Sequence, residues 1–277
     1  MIPKAYVDEW REHAPWPEPH QVEHDLILSR AIVEIFSSET LRARLAFRGG
    51  TALYKLHLPA ARYSEDIDLV QTQAENIGTT LDALRAQLDP WLGTAKREFS
   101  ESRVTLTWRT LSEGEPPVRL RVKVEINSRE HFSVFGIQPR RFSVASRWFT
   151  GATDIPTYTL EEMLGTKLRA LYQRRKGRDL FDLWDAMTRV AVDPERVVEA
   201  FQRYMREEGR TISRAEFEEN LALKLADDRY TTDVAPLLAR GLSWQVEEAA
   251  GLVHGKLLTL LAGDAWRSEA NPWRPIR

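Results

Sequence analysis

The chain contains no cysteine among its 277 residues. That excludes a disulfide framework, a thiolate metal site and a cysteine nucleophile. No apolar stretch approaches the length of a membrane span, and Met1-Ile2-Pro3-Lys4-Ala5-Tyr6 has no apolar signal core. A cytoplasmic protein with no membrane attachment is the expectation. An excess of one charge sign is lacking as well: 39 basic side chains stand against 41 acidic ones, for a net charge of −2 and a pI near 6.4. Indiscriminate nucleic-acid binding is thereby disfavoured, and an RNA would have to be held by a local basic patch. Repeats and low-complexity segments are absent. What remains is a composition ordinary for a globular protein, long enough for one large domain or two modest lobes.

The most legible stretch is Phe47-Arg48-Gly49-Gly50-Thr51-Ala52-Leu53, followed by Arg62-Tyr63-Ser64-Glu65-Asp66-Ile67-Asp68-Leu69-Val70. Glycine has no Cβ and tolerates φ > 0, so a Gly-Gly pair after an apolar strand lets backbone amides close on an anion such as a phosphate. Asp66 and Asp68 alternate with Ile67 and Leu69. A strand has a side-chain period of two, which puts both carboxylates on one face and the apolar pair inward. One or two carboxylates plus the substrate's own phosphates suffice to hold Mg²⁺. Either element alone is common turn material; their order and spacing are what stand out.

Around this stretch, Val22, Leu26, Ile32, Val33 and Phe36 recur at helical spacing and predict an amphipathic helix over 21–36. The twenty residues before it, rich in proline, read as turns pinned by Trp10 and Trp16. Leu45-Ala46-Phe47 predicts a short buried strand, and Thr51 opens a helix whose dipole would support a phosphate site and which Pro59 stops. A helix over 81–89 should end at Pro90, with strands over 104–108, 118–127 and 142–149. On the second of these strands, Val118, Leu120, Val122, Val124 and Ile126 form one face, and Arg119, Arg121, Lys123, Glu125 and Asn127 the other. Glu125, the one acid on a basic face, is either a site residue or half of a cross-strand salt bridge. Residues 150–156 read as a joint, and Thr159-Leu160-Glu161-Glu162 as a capping box opening an all-helical remainder. The predicted class is α+β, with an N-terminal lobe over 1–152 built on a small mixed sheet with flanking helices, and a C-terminal helical lobe over 153–277.

A second constellation lies in that remainder. Lys167, Arg169, Arg174, Arg175, Lys176 and Arg178 crowd into twelve residues. Lys167, Arg174 and Arg178 share one face if the helix continues, which makes either a phosphate-binding stripe or a solvated face. Gly177 reads as the end of that helix, Asp179 as the next N-cap, and Asp182 as a complement to the dipole.

The glycine and Asp-x-Asp motifs together resemble the first motif of the DNA-polymerase-β-like nucleotidyltransferases. With Thr166-Lys167-Leu168-Arg169-Ala170-Leu171 and Arg178-Asp179-Leu180-Phe181-Asp182-Leu183, the chain more narrowly resembles the AbiEii/MenT group, the toxin halves of bacterial toxin–antitoxin pairs, over roughly 48–185. That resemblance implies Mg²⁺ held by Asp66, Asp68 and a third carboxylate, Glu125, from a neighbouring strand. It implies phosphate oxygens cradled by Gly49, Gly50, Thr51 and Ser64, and a triphosphate met by Lys167. Asp182 would orient Lys167 or a basic neighbour, or assist deprotonation of the acceptor, while Asp179 stays a cap. The implied reaction moves a nucleoside monophosphate from an NTP to a hydroxyl, commonly the 3′ end of tRNA, and so arrests growth. The implied partner is an antitoxin, either a kinase acting on Ser64 or a DNA-binding repressor. Ser64 reads equally well as a strand-end hydroxyl bonded to backbone. Two other functions fit the same residues: a small-molecule nucleotidyltransferase of the antibiotic-modifying kind, and a catalytically silent nucleotide- or RNA-binding regulator.

Overall fold

In the computed structural model, which describes residues 2–274, the alternation written into the strands decides the two sides of one mixed sheet. Helices α1 (Lys4–Trp10), α2 (Pro19–Ser37) and α3 (Glu39–Arg44) precede β1 (Leu45–Arg48). The glycine pair opens a one-turn helix, α4 (Gly49–Ala52), which continues as a π-helical turn over Leu53–His57. Then follow β2 (Asp66–Gln71), α5 (Gly78–Leu92), β3 (Lys96–Ser100), β4 (Arg103–Leu111), β5 (Arg119–Asn127), β6 (Gln138–Ala145) and β7 (Thr150–Thr157). The strand order is β3-β4-β5-β2-β1-β7-β6. β2 runs antiparallel to β1 and parallel to β5, which is how strands distant in sequence become neighbours at the centre.

One face of this sheet is apolar. Val104, Leu106 and Trp108 of β4, Leu120, Val122, Val124 and Ile126 of β5, and Ile67 and Leu69 of β2 are all buried. Burial of this kind contributes about 25 cal/mol per Å² of apolar surface and is the main force holding sheet to helices. Helices α2, α3 and α5 cover that face, and Trp108 Nε1 donates to Asp89 on α5 at 2.9 Å. The buried Asp25 of α2 has its partners around it: it accepts from Trp10 Nε1 at 2.8 Å, Trp16 Nε1 at 3.1 Å and the Lys55 ammonium at 2.7 Å. A buried carboxylate so surrounded ties the N-terminal segment and the turn after α4 to one helix. The two tryptophans thus anchor the first residues as expected, but Lys4–Trp10 among them is helical.

By its contacts the chain divides into Met1–Thr159 with Leu238–Arg240, and Leu160–Leu237 with Gly241–Arg277. Residues 150–156, read as a joint, are strand β7 instead. Its Gly and Pro hide it, but antiparallel pairing to β6 along its whole length satisfies its backbone. Likewise Pro90 does not stop α5, which runs on to Leu92 and ends at Gly93, with φ 83°. The second unit comprises α6 (Leu160–Gln173), α7 (Gly177–Arg189), α8 (Pro194–Glu207), α9 (Arg214–Leu225), α10 (Asp228–Thr232) and α11 (Val246–Lys256). Its core includes Phe181, Phe201, Tyr204 and Phe217. Among the described residues no helix is long and apolar enough to cross a membrane.

Candidate active site

The polar side of the central strands gathers the acids of the first unit. Asp66 and Asp68 project from the same face of β2, and the parallel register places Lys123 opposite Asp66 and Glu125 opposite Asp68. Arg48, the last residue of β1, stands opposite Asp68 from the other side and donates to Glu130 at 2.6 Å. Three carboxylates from two strands thus share one patch of sheet, although among the described residues no three acidic or histidine side chains converge on a single point. Glu125 is turned toward cations: it accepts from Arg103 Nη1 at 2.7 Å and is ion-paired with Lys123, which also lies 3.7 Å from Asp66. Glu125 is thus half of a cross-strand salt bridge, and it also sits in register with Asp68.

The electrostatics of the patch are unequal. Burial, reinforced by the charge on Asp68 and opposed by Lys123, pushes the Asp66 carboxyl up to about 6. Burial works the same way on Glu125 but is outweighed by the hydrogen bond and charge of Lys123 and by Arg103, so its pKa lies below the usual value. A carboxyl pushed up by burial beside a second acid gains from added positive charge. Asp66 and Asp68 are the donor pair that a divalent cation would find here, with Glu125 a third if it leaves its cations.

Beside the acids, the glycine pair explains itself sterically. Gly49 has φ 82°, and a Cβ there would overlap Oδ2 of Asp68. A Cβ on Gly50 would lie 2.6 Å from Nη2 of Arg62 and 2.9 Å from Oγ of Ser64. The backbone can approach the Asp68 carboxylate, and Arg62 and Ser64, this closely only because both positions are glycine. The Thr51 hydroxyl donates to the Asp66 carbonyl at 2.5 Å and lies 2.9 Å from the half-buried Ser64 Oγ. Gly49, Gly50, Thr51, Ser64, Asp66, Asp68 and Glu125 are thus brought together, and Ser64 is bonded to a side-chain hydroxyl rather than to backbone. Buried Arg62, donating to the Tyr63 carbonyl at 3.0 Å, sits beneath the loop and was not singled out by sequence. Its place in Arg62-Tyr63-Ser64, beside the motif, was the available signal.

The second unit holds its own ionic cluster. Buried Lys167 of α6 lies 2.7 Å from Asp182 and 3.6 Å from Asp179, both on α7 and both fully buried. Arg174 closes the group with a two-pronged bond to Asp179, at 2.7 and 2.8 Å. Asp179 is therefore not an N-cap. Gly177 does not end a helix but begins α7, where its N–H donates to Asp233 at 3.2 Å, and the cap position falls to Lys176. Nor do Lys167, Arg174 and Arg178 form one stripe, because the chain breaks between α6 and α7 and the first two cations are engaged with aspartates.

A mixed sheet carrying Gly-Gly, Asp-x-Asp and a register-matched glutamate defines the nucleotidyltransferase class of fold. The family model described as nucleotidyl transferase AbiEii toxin, Type IV TA (toxin–antitoxin) system, matches residues 30–251, and the chain belongs to that family. Solved structures that share the fold include two from bacteria. The nucleotidyltransferase toxin MenT4 of Mycobacterium tuberculosis is 17% identical with TM-score 0.59, over 95% of this chain and 91% of that one. JHP933 of Helicobacter pylori is 19% identical with TM-score 0.54, over 87% of this chain and 95% of that one. No curated protein matches by sequence.

Proposed function

We propose that the protein is a Mg²⁺-dependent nucleotidyltransferase toxin that transfers a nucleoside monophosphate from an NTP to an RNA, with the 3′ end of tRNA as acceptor and growth arrest in the cytoplasm as the outcome. The observation that carries this reading is the abutment of Gly49 on Asp68, with Glu125 in register across the strand. It joins a close-approach loop for phosphate to a cluster of acids in one patch. Bound to Asp66 and Asp68, with Glu125 as a third donor, Mg²⁺ would supply charge for the triphosphate and acidify the attacking hydroxyl. The chain's own part is positioning. The amides of Gly49 and Gly50 and the hydroxyls of Thr51 and Ser64 orient phosphate oxygens, and Arg62 adds positive charge beneath the loop. For Lys167 we propose the role of meeting triphosphate charge, with Asp182 fixing its direction through their ion pair.

A cognate antitoxin belongs to the same proposal. Phosphorylation of Ser64 would place about two negative charges two residues from Asp66 and next to the Thr51 hydroxyl, competing with substrate phosphate for the same donors. Purified protein incubated with total tRNA, Mg²⁺ and each α-labelled NTP in turn tests the reaction, with Asp66→Ala alongside. Label entering tRNA from one NTP and absent with the variant is the expected result. Label entering a small-molecule acceptor instead, or NTP binding with no pyrophosphate released, would replace this reading by the enzyme or regulator it competes with.

A further inference from the structure

We propose that Arg109, Arg119 and Arg121 form a track for the phosphate backbone of the RNA acceptor, leading its 3′ end to Asp66 and Asp68; the inference rests on the nucleotidyl-transfer reading above. Arg109 of β4 and Arg121 of β5 are direct cross-strand partners, and Arg119, two residues on and on the same face, stands opposite the exposed Leu111. Like charges directly opposite each other weaken a sheet. A folded chain carrying such a pair usually sets an acid between them, yet among the described residues none of these three arginines makes an ion pair. All three guanidinium groups are on exposed residues. Glu98 on β3 lines the same trough and interacts with Arg109 through space without forming an ion pair, so an anion from outside would relieve the repulsion that remains.

The position of the row selects the anion. Along β5 the polar face reads Glu125, Lys123, Arg121, Arg119, each two residues and so about 6.6 Å from the next, for a run of about 20 Å. This step is comparable to that between successive phosphates of an extended strand. One trough is lined by Asp66, Glu125, Lys123, Arg121 and Arg109, and a second, sharing Arg109 and Arg121, continues past Arg119 and Leu111. The row starts at the acids and leads away across β5 and β4, on the opposite flank from Gly49 and Gly50 of α4, which follows β1. An NTP bound at the glycines would leave it free. Arginine suits this use because its planar fork pairs with phosphate oxygens and its face stacks on an unpaired base, while Leu111 offers apolar contact. An acidic protein segment would satisfy the charge but would have no reason to terminate at a carboxylate cluster.

The test compares the full-length protein with Arg109→Gln/Arg119→Gln/Arg121→Gln. A charge-matched control, Arg140→Gln/Arg141→Gln/Arg147→Gln, removes exposed cations on and just after β6, the far edge of the same sheet. Binding of a 5′-labelled tRNA transcript is followed by fluorescence anisotropy without Mg²⁺ or NTP, across a salt series. The track variant should bind at least tenfold more weakly near 0.15 M salt, with the slope of log K against log salt reduced by about 2, as three lost single-strand phosphate contacts require. Its melting temperature should not fall, since a like-charge pair is relieved, and its NTP affinity should stay within twofold. The control should bind RNA within threefold of wild type. RNA binding unchanged in the track variant, NTP affinity lost in its place, or binding of an acidic partner protein lost with RNA binding intact would each overturn the proposal. Wild-type protein that binds RNA through these arginines yet transfers no nucleotide would overturn the transfer reading alone.

Discussion

The chain contains two ionic clusters of similar inventory and opposite character. On the sheet, Glu125 pairs with Arg103 and Lys123, and Lys123 also reaches Asp66, with Asp68 on the same strand face; among the helices of the second unit, Asp179 and Asp182 share Lys167 and Arg174. The helical acids are fully buried and each is matched to a cation at 2.7 Å, as burial of charge demands. The sheet acids are only partly buried, and burial together with the charge on Asp68 pushes the Asp66 carboxyl up to about 6. A balanced, closed cluster stabilises a packing arrangement. A more accessible one can also take a ligand directly; in the proposed reaction the helical cluster fixes the direction of Lys167 while the sheet acids hold the reacting groups.

The contrast is sharpest if one residue of each cluster is neutralised. Asp66→Asn should lower nucleotidyl transfer by about a thousandfold, the upper range for removing one preorganised charge interaction, while the melting temperature stays or rises. Asp182→Ala should do the reverse to the fold: it leaves the Lys167 ammonium buried without its nearer partner, at a cost on the order of 3 kcal/mol in unfolding free energy. Urea denaturation of both variants beside wild type reads the difference. Should Asp66→Asn unfold the protein or Asp182→Ala leave it as stable as wild type, the two clusters are not different in kind.

Gly49→Ala comes next. It sets a Cβ against the Asp68 carboxylate at φ 82°, so the acid must move, and a displacement of this order away from the reacting atoms costs about a hundredfold in rate. The strain of that backbone conformation should lower stability by about 1 kcal/mol. Transfer within threefold of wild type would mean the loop does not set the position of Asp68.

How much of this was open to a reader of the sequence follows from the range of the interactions involved. Asp66 and Asp68 were legible because two carboxylates on one strand face need only the period of a strand. The polar face of β5 was legible for the same reason. The register that sets Glu125 opposite Asp68 was not, since it depends on β5 pairing in parallel with a strand over fifty residues earlier. β7 was hidden because Thr150-Gly151-Ala152-Thr153-Asp154-Ile155-Pro156-Thr157 has no apolar alternation and owes its conformation to β6 and β1. Exposed β3 was missed likewise. Asp179 was misassigned because Gly177 looks like a helix terminator locally, while the group that lets it begin a helix, Asp233, lies 56 residues away.

A smaller effect is set by pH. The folded-state pKa of Asp66 is raised, to about 6 from an ordinary 3.8, so the folded chain holds this proton more tightly than the unfolded chain does. Stability contributed by the protonated form is therefore full below about pH 4 and is lost as pH rises through about 6. Asparagine mimics the protonated acid. The melting temperature of Asp66→Asn minus that of wild type should accordingly widen between pH 4 and 7, and Mg²⁺ should narrow the gap by compensating the ionised carboxylate. A gap that is flat with pH would place the charge deficit elsewhere in the cluster.

The smallest change is the most discriminating for Glu125. Arg103 is half exposed, so its 2.7 Å bond to Glu125 should contribute well under 1 kcal/mol to stability, and Arg103→Ala should unfold at nearly the wild-type urea concentration. Its effect on the reaction depends on what Glu125 is for. A glutamate that serves only as a sheet salt bridge keeps Lys123 and leaves the cation requirement of the reaction unchanged. If Glu125 instead joins Asp66 and Asp68 around a divalent cation, Arg103 competes with that cation for the same oxygen. Removing it should then lower the Mg²⁺ concentration for half-maximal transfer by about two- to threefold, the equivalent of roughly half a kcal/mol of lost competition. The same titration with Glu125→Gln should move in the opposite direction, because the amide retains the shape but not the charge. Opposite shifts from two substitutions on one ion pair would assign Glu125 to the acid cluster, and no shift from either would return it to the sheet.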